Sequence, residues 1–336
     1  MDEDSPLDLR LSTESYLQYL KFPPGNQLPP ANFRDLFKVE SAKSLQFWSD
    51  PDTALENAIQ GHFAKSSSFD TQNFFYAGPK NSGLEKRLQQ KFPALKISRL
   101  GSDPEEMLEL KTPLRSFYLL YSPNPKDSSF WSHELLLRVA HRLLENAESY
   151  LMLDESLASL FWEPGTDVGT LRHQAHSRMG VLLSLGPWSG HESKLTMTYH
   201  SPADDVEALD PSSPEMIEWS NLQQIWIRDF HSGVQHLRLR TALSRNTRTL
   251  LEELRDLIQA KTVECLHWPK AGSSILLRLK NLTEIEAHKK IRDQKLLVQL
   301  ETSDSSQAVE IQIVVPLNGP RTHEIARRIK LLVSQG

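Results

Sequence analysis

The chain has 336 residues, 39% hydrophobic and 24% charged, with a net charge of −5; this is a globular composition with enough apolar surface for a large core and length for two domains. The slight acidity gives no basic field for nucleic acid or anionic membrane, and no apolar run approaches the roughly 20 residues that span a bilayer. One cysteine, Cys265, excludes an internal disulfide and a multi-cysteine metal site, and the acidic start MDEDSPLDLR lacks a signal peptide's basic and apolar regions, so a cytoplasmic location is expected.

Residues 1–48 carry Pro6, Pro23, Pro24, Pro29 and Pro30 and are expected to form an N-terminal arm. Ser49-Asp50-Pro51-Asp52 opens a helix through Ala54, Leu55, Ala58 and Ile59, with serine or aspartate as cap. NFFYA at 73–77 reads as a short strand, 83–92 as a charged helix, and LKISRL at 95–100 and the stretch 117–122 as two further strands. Leu135, Leu136, Val139, Ala140, Leu143, Leu144 and Ala147 recur at three- and four-residue spacing, which predicts an amphipathic helix capped by Ser132, with Glu134 suited to its first turn. YLML at 150–153 is a continuous apolar run, the pattern of a strand buried on both faces. Strand, helix and strand here make a right-handed crossover unit.

Further strands are expected at 181–185 and 222–227, separated by the loop SPADDVEALDPSSP. A long helix is expected over 243–259, then strand 274–279, helix 283–292, strands 296–300 and 309–315, and helix 323–333. The resulting fold class is α/β: a doubly wound, mostly parallel sheet in a large domain (49–242), with a smaller α+β domain (243–336) and the boundary near 241–262. No internal repeat is visible.

Four segments, in order, carry a resemblance: NFFYAGPKNSGLEKRLQQKFPALKISRL, YSPNPKDSSFWSHELLLRVAHRLLENAESYLMLDES, VECLHWPKAGSSILLRLKNL and VEIQIVVPLNGPRTHEIARRIKLLV. Together they resemble class I/II aminotransferases, the fold-type-I pyridoxal phosphate enzymes, and within them 1-aminocyclopropane-1-carboxylate synthase-like proteins, in a truncated and degenerate form. The resemblance implies pyridoxal phosphate as cofactor and a site at a subunit interface, hence a homodimer or a heteromer with an active homologue. It places Asp154 against the pyridine nitrogen, where a carboxylate keeps the ring protonated. It places Asn124, in the Asn-Pro loop, against the phenolic oxygen. The family's usual tyrosine three residues after the aspartate is Leu157 here.

The lysine that condenses with the cofactor's aldehyde is the main departure. One alignment, through QQIWIRDF, puts Arg228 at its position and Arg238 near that of the phosphate-binding arginine. A guanidinium stays protonated and cannot serve as that amine. The other alignment uses Lys194, which follows serine and lies 40 residues after Asp154, without the glycine and arginine expected next. Only AKSSSFDTQ separates Phe63 from Asn73, where the family holds a glycine-rich phosphate turn. Gln312 stands where the resemblance expects the arginine that grips the substrate carboxylate, and a helical segment is missing between Arg240 and Arg245.

Three readings follow: a degenerate, non-catalytic homologue; an active pyridoxal phosphate-dependent transferase or lyase acting on an amino acid through Lys194; and an interaction module whose similarity is architectural. Away from the resemblance, Asp154-Glu155 also reads as a helix cap and Asn124-Pro125 as a common turn. His173 and His176 have metal-ligand spacing but no acid or cysteine partner in sequence, so no metal is expected.

Overall fold

Residues 45–64, 72–79, 81–101, 103–158, 169–172, 174, 176–184, 196–199, 234–280, 282–294, 298–301 and 308–334 are described by the computed structural model. Strands β1 (Leu45–Trp48), β2 (Gln72–Tyr76), β3 (Leu95–Arg99), β4 (Ser116–Tyr121), β5 (Tyr150–Asp154), β6 (Met179–Ser184) and β7 (Thr196–Tyr199) form one sheet in the order β1-β7-β6-β5-β4-β2-β3. Pairing is parallel from β3 to β6, and β7 runs antiparallel to both β6 and β1.

The apolar runs of β4 and β5 are explained by cover on both faces. On one face, Tyr118, Leu120, Leu151 and Leu153 pack with Leu136, Val139, Ala140 and Leu143 of α4 (His133–Leu143). Helix α3 (Pro104–Glu109), not expected from sequence, adds Met107 to this layer. On the other face, Phe117, Leu119, Tyr150 and Met152 pack with Ala54, Leu55, Ala58 and Ile59 of α1 (Pro51–Ala64), and with Leu84 and Leu88 of α2 (Ser82–Lys91). The caps sit where side-chain chemistry demands. Asp50 accepts from the Thr53 amide at 2.8 Å, Asn81 from that of Leu84 at 3.0 Å, and Ser132 from that of Leu135 at 3.2 Å.

In the second domain, β8 (Val263–Cys265), β9 (Ser274–Lys280), β10 (Gln299–Glu301) and β11 (Ala308–Val314) form an antiparallel sheet in the order β10-β11-β9-β8. Ile275, Leu277, Leu279, Val309, Ile311 and Ile313 turn one face to a core completed by α5 (Val234–Glu253), α7 (Glu284–Asp293) and α8 (Gly319–Ser334). A short helix, α6 (Arg255–Gln259), joins α5 to β8. Thr283 and Glu286 form a capping box at the start of α7.

The differences from expectation have physical causes. Leu45–Trp48, assigned to the arm, is an edge strand, and Trp48 Nε1 donates to Thr198 Oγ1 at 2.9 Å. Strand β7 went unseen because TMTY alternates threonine with apolar residues over only four positions; it is nonetheless fully buried between β1 and β6. Helix α5 begins at Val234 and runs across the expected boundary. The strand expected at 222–227 lies outside the described residues. No helix among the described residues is long and apolar enough to cross a membrane.

Candidate functional site

Parallel strands that begin together end together, and their carboxyl ends define a crevice edge. Tyr121, Asp154 and Leu182 stand in register across β4, β5 and β6. The loops from 122 and 155 therefore leave the sheet side by side, and the Ser122 amide donates to the Asp154 carbonyl at 2.9 Å.

Asp154 ends β5. Its Oδ1 accepts from the Ser156 amide at 2.8 Å, and Ser156 Oγ accepts in turn from the Ser184 amide of β6 at 2.7 Å. Burial pushes the Asp154 carboxyl up to about 6; the bonds from Ser156 oppose this, and the neighbouring Glu155 charge adds to it. No cation pairs with Asp154 among the described residues. Beside it, burial raises the Tyr121 phenol, and the Asp154 charge adds to the shift. Gly78 lies against this ring: a Cβ there would stand 2.6 Å from Tyr121 Cε2, so the close approach requires glycine.

Glu155 faces the other way and is fully buried. Its Oε1 accepts from Thr170 Oγ1 at 2.6 Å and from the Leu171 amide at 2.9 Å, while Oε2 meets Arg172 Nε at 2.7 Å. This carboxylate pins segment 169–172 under the site. Ser122 Oγ donates to the Gly169 carbonyl at 3.0 Å and holds its other side.

Asn124 is buried, and its Oδ1 accepts from the Lys126 amide at 2.9 Å, closing an Asx turn. Its Nδ2 reaches the Ala77 carbonyl at 3.5 Å. The loop it starts runs onto the polar face of the small sheet. Gln312 Nε2 donates to the Pro125 carbonyl at 2.6 Å and to Ser274 Oγ at 3.3 Å, whereas Gln312 Oε1 has no hydrogen-bond partner among the described residues. Lys126 Nζ lies 3.4 Å from Glu310 Oε2, and Arg278 donates to Glu310 Oε1 at 2.8 Å. Leu157, just beyond Asp154, packs against the core of the small domain.

The structure thus brings Asn124, Asp154, Leu157 and Gln312 to one junction. Lys194, Arg228 and His173 lie outside the described residues; Arg238 falls within α5, with its side chain outside them. His176 Nδ1 accepts from the Arg178 amide at 3.1 Å, and no group of three potential metal ligands occurs among the described residues. Ser128, Ser274 and Glu310 were not singled out from sequence, and Glu155 entered only beside Asp154 as part of a helix cap. Glu310 and Gln312 carry a signal in retrospect: they alternate with Ile311 and Ile313, marking a polar strand face that is nevertheless buried.

No protein-family model matches the sequence, and neither does any curated protein. Solved structures do. Aspartate aminotransferase from Thermus thermophilus with maleate superposes with a TM-score of 0.70 at 15% identity, covering 95% of this chain and 87% of that one. Aspartate aminotransferase from Rhizobium meliloti gives 0.68 at 12% identity over 91% and 80% of the two chains. A pyridoxal phosphate-bound C-S lyase from Staphylococcus hominis gives 0.68 at 11% identity over 96% and 88%. With its mostly parallel sheet, antiparallel β7 and appended α+β domain, the chain has the fold of the class I/II aminotransferases, the fold-type-I architecture.

Proposed function

We propose that this chain is a degenerate, non-catalytic homologue of the class I/II aminotransferases, one that keeps the acid beneath the cofactor ring and has turned its substrate-binding wall to structural use. The observation that carries this reading is Gln312. Where the resemblance expects a carboxylate-gripping arginine, a neutral amide donates to Pro125 and Ser274 across the domain junction. An amide cannot reproduce a charged bidentate fork, and this one is already occupied. Leu157 supports the same reading, since the position expected to offer a phenolic hydroxyl packs as an aliphatic side chain against the small-domain core.

The described residues fit pyridoxal phosphate on one side. Asp154 is a half-buried carboxylate without a cationic neighbour among them, and a protonated ring nitrogen would relieve it. Bound pyridoxal phosphate supplies an electron sink for charge developing at a substrate's α-carbon. Asp154 would hold the proton on the ring nitrogen. Asn124 would offer its amide N–H, whose contact with Ala77 is long.

An active enzyme using Lys194 is the second reading, and the topology favours Lys194 over Arg228 within it. Strand β6 ends and β7 begins at the crevice edge, with Ser184 paired to Thr196, and Lys194 stands two residues before β7 in sequence. Arg228 follows β7 and would remain protonated. For the non-catalytic reading, the remaining role is binding or assembly, as a homodimer or with an active homologue.

Incubation of the full chain with pyridoxal phosphate, followed by borohydride and peptide mass analysis, separates the two. The expected outcome is no absorbance near the violet edge of the visible and no cofactor mass fixed on any lysine. A band that borohydride fixes, and that Lys194→Ala abolishes, overturns the proposal in favour of the enzyme.

A further inference from the structure

We propose that the two domains are held together by a fixed joint, so that the crevice keeps one width with or without a ligand and the small domain does not swing. The inference rests on the junction contacts alone and holds whichever reading of the cofactor is correct.

The joint is centred on Ser128 and Ser274. Beyond the end of β8, the outer edge of β9 has no strand partner at Ser274 among the described residues. The hydroxyl of Ser128 fills that gap: it donates to the Ser274 carbonyl at 2.9 Å and accepts from the Ser274 amide at 3.1 Å. One side chain of the large domain thus stands in for a strand partner in the small one. Ser128 is fully buried and has a φ of 59°, a conformation that costs a non-glycine residue energy unless its surroundings impose it. Its neighbour is Gly272, with a φ of 72°. A Cβ on Gly272 would stand 2.4 Å from Ser128 Oγ and 2.9 Å from Ser128 Cβ, so the domains approach closely because this residue is glycine.

Three contacts surround this centre, from different elements. Gln312 of β11 holds the Pro125 carbonyl. Lys126 meets Glu310, an ion pair whose side chains are only 14% and 9% exposed. Leu157 enters the small-domain core from the end of β5. A moving wall needs contacts that break readily into water. Here the donors and acceptors are buried, and each would lose its partner on opening.

Hydrogen exchange of the full chain across a urea series tests this, reading the unfolding midpoint of peptides from β4–β5 and from β9–β11 separately. In the wild type the two midpoints are expected to coincide. In Gly272→Ala, which drives a methyl into Ser128, and in Gln312→Ala, which only removes an amide, the small-domain midpoint should fall below that of the large domain by roughly 0.5–1 M urea, the shift expected from losing one or two buried hydrogen bonds. Gln312→Ala keeps the test open should Gly272→Ala fail to fold. Midpoints already separate in the wild type, or still coincident in every variant that folds, would overturn the proposal.

Discussion

The two sides of the crevice use polar residues in opposite ways. At the strand ends, Asp154 is held by Ser156 and kept free of described cations, so its charge is disfavoured and available to be relieved. On the small-domain side, Gln312, Ser274 and Glu310 are directed at Pro125, Ser128 and Lys126. Binding requires groups whose needs are met only when a ligand arrives; a joint requires groups whose needs are met beforehand. By that criterion the sheet side retains the character of a site, while the small-domain side is mostly committed to the joint, with Gln312 Oε1 left without a hydrogen-bond partner among the described residues.

The sharpest way to break the comparison is to unpin the sheet side. Glu155 is buried beneath Asp154 and satisfies Thr170, Leu171 and Arg172 together. Glu155→Ala takes the acceptor from a buried amide and the carboxylate from Arg172, and a loss of about 3–5 kcal/mol is expected, as for breaking a buried pair. Urea denaturation reads it directly; an unchanged midpoint would mean that segment 169–172 is held by something else.

Asp154 gives the next effect, and its sign is distinctive. Its carboxyl is raised from 3.8 to about 6 in the folded state, chiefly by burial. The folded protein therefore holds this proton more tightly than the unfolded chain between those values. Its contribution to stability is full below about pH 4 and is lost as pH rises toward 6. Asp154→Asn keeps an oxygen for the Ser156 amide and removes the charge. The variant should be more stable than the wild type at pH 7, with the difference vanishing near pH 4. A ligand that brings a proton or positive charge against Asp154 would reverse that order, which makes the same pair of urea curves a binding assay.

How much of this was readable in the sequence depends on how local the cause is. FYLLY and YLML announce strands covered on both sides, and Ser132 and Asn81 cap helices through neighbours three residues on, so those elements stand where expected. Asp154 and Asn124 were assigned through the resemblance, and the strands they follow, β5 and β4, were legible. Strand β7 was not, because its burial depends on Leu45–Trp48 arriving from a segment more than 140 residues earlier. The role of Gln312 is equally remote: its sequence position shows that an arginine is missing, but its partner Pro125 lies 187 residues away. A departure from a family pattern can be seen in one dimension; the new use of the departing residue cannot.

The small-domain side can be probed most gently through its ions, and here the expectation is an asymmetry. Glu310 has two cations: Arg278 at 2.8 Å within the small domain and Lys126 at 3.4 Å across the junction. Removing Lys126 leaves Glu310 still bonded to Arg278, so Lys126→Met should cost under about 1 kcal/mol, part of it offset by the lysine's retained apolar stem. Removing the acid takes a little-exposed carboxylate from both cations at once, although Arg278 keeps Glu264 at 3.6 Å, so Glu310→Gln should cost more, about 1–2 kcal/mol. Because the shared acid is little exposed, added salt should reduce neither effect by much. Equal losses for the two variants, or losses that disappear in salt, would mean that the charges lie on the joint without supporting it, leaving Ser128, Ser274 and Gln312 to hold the domains.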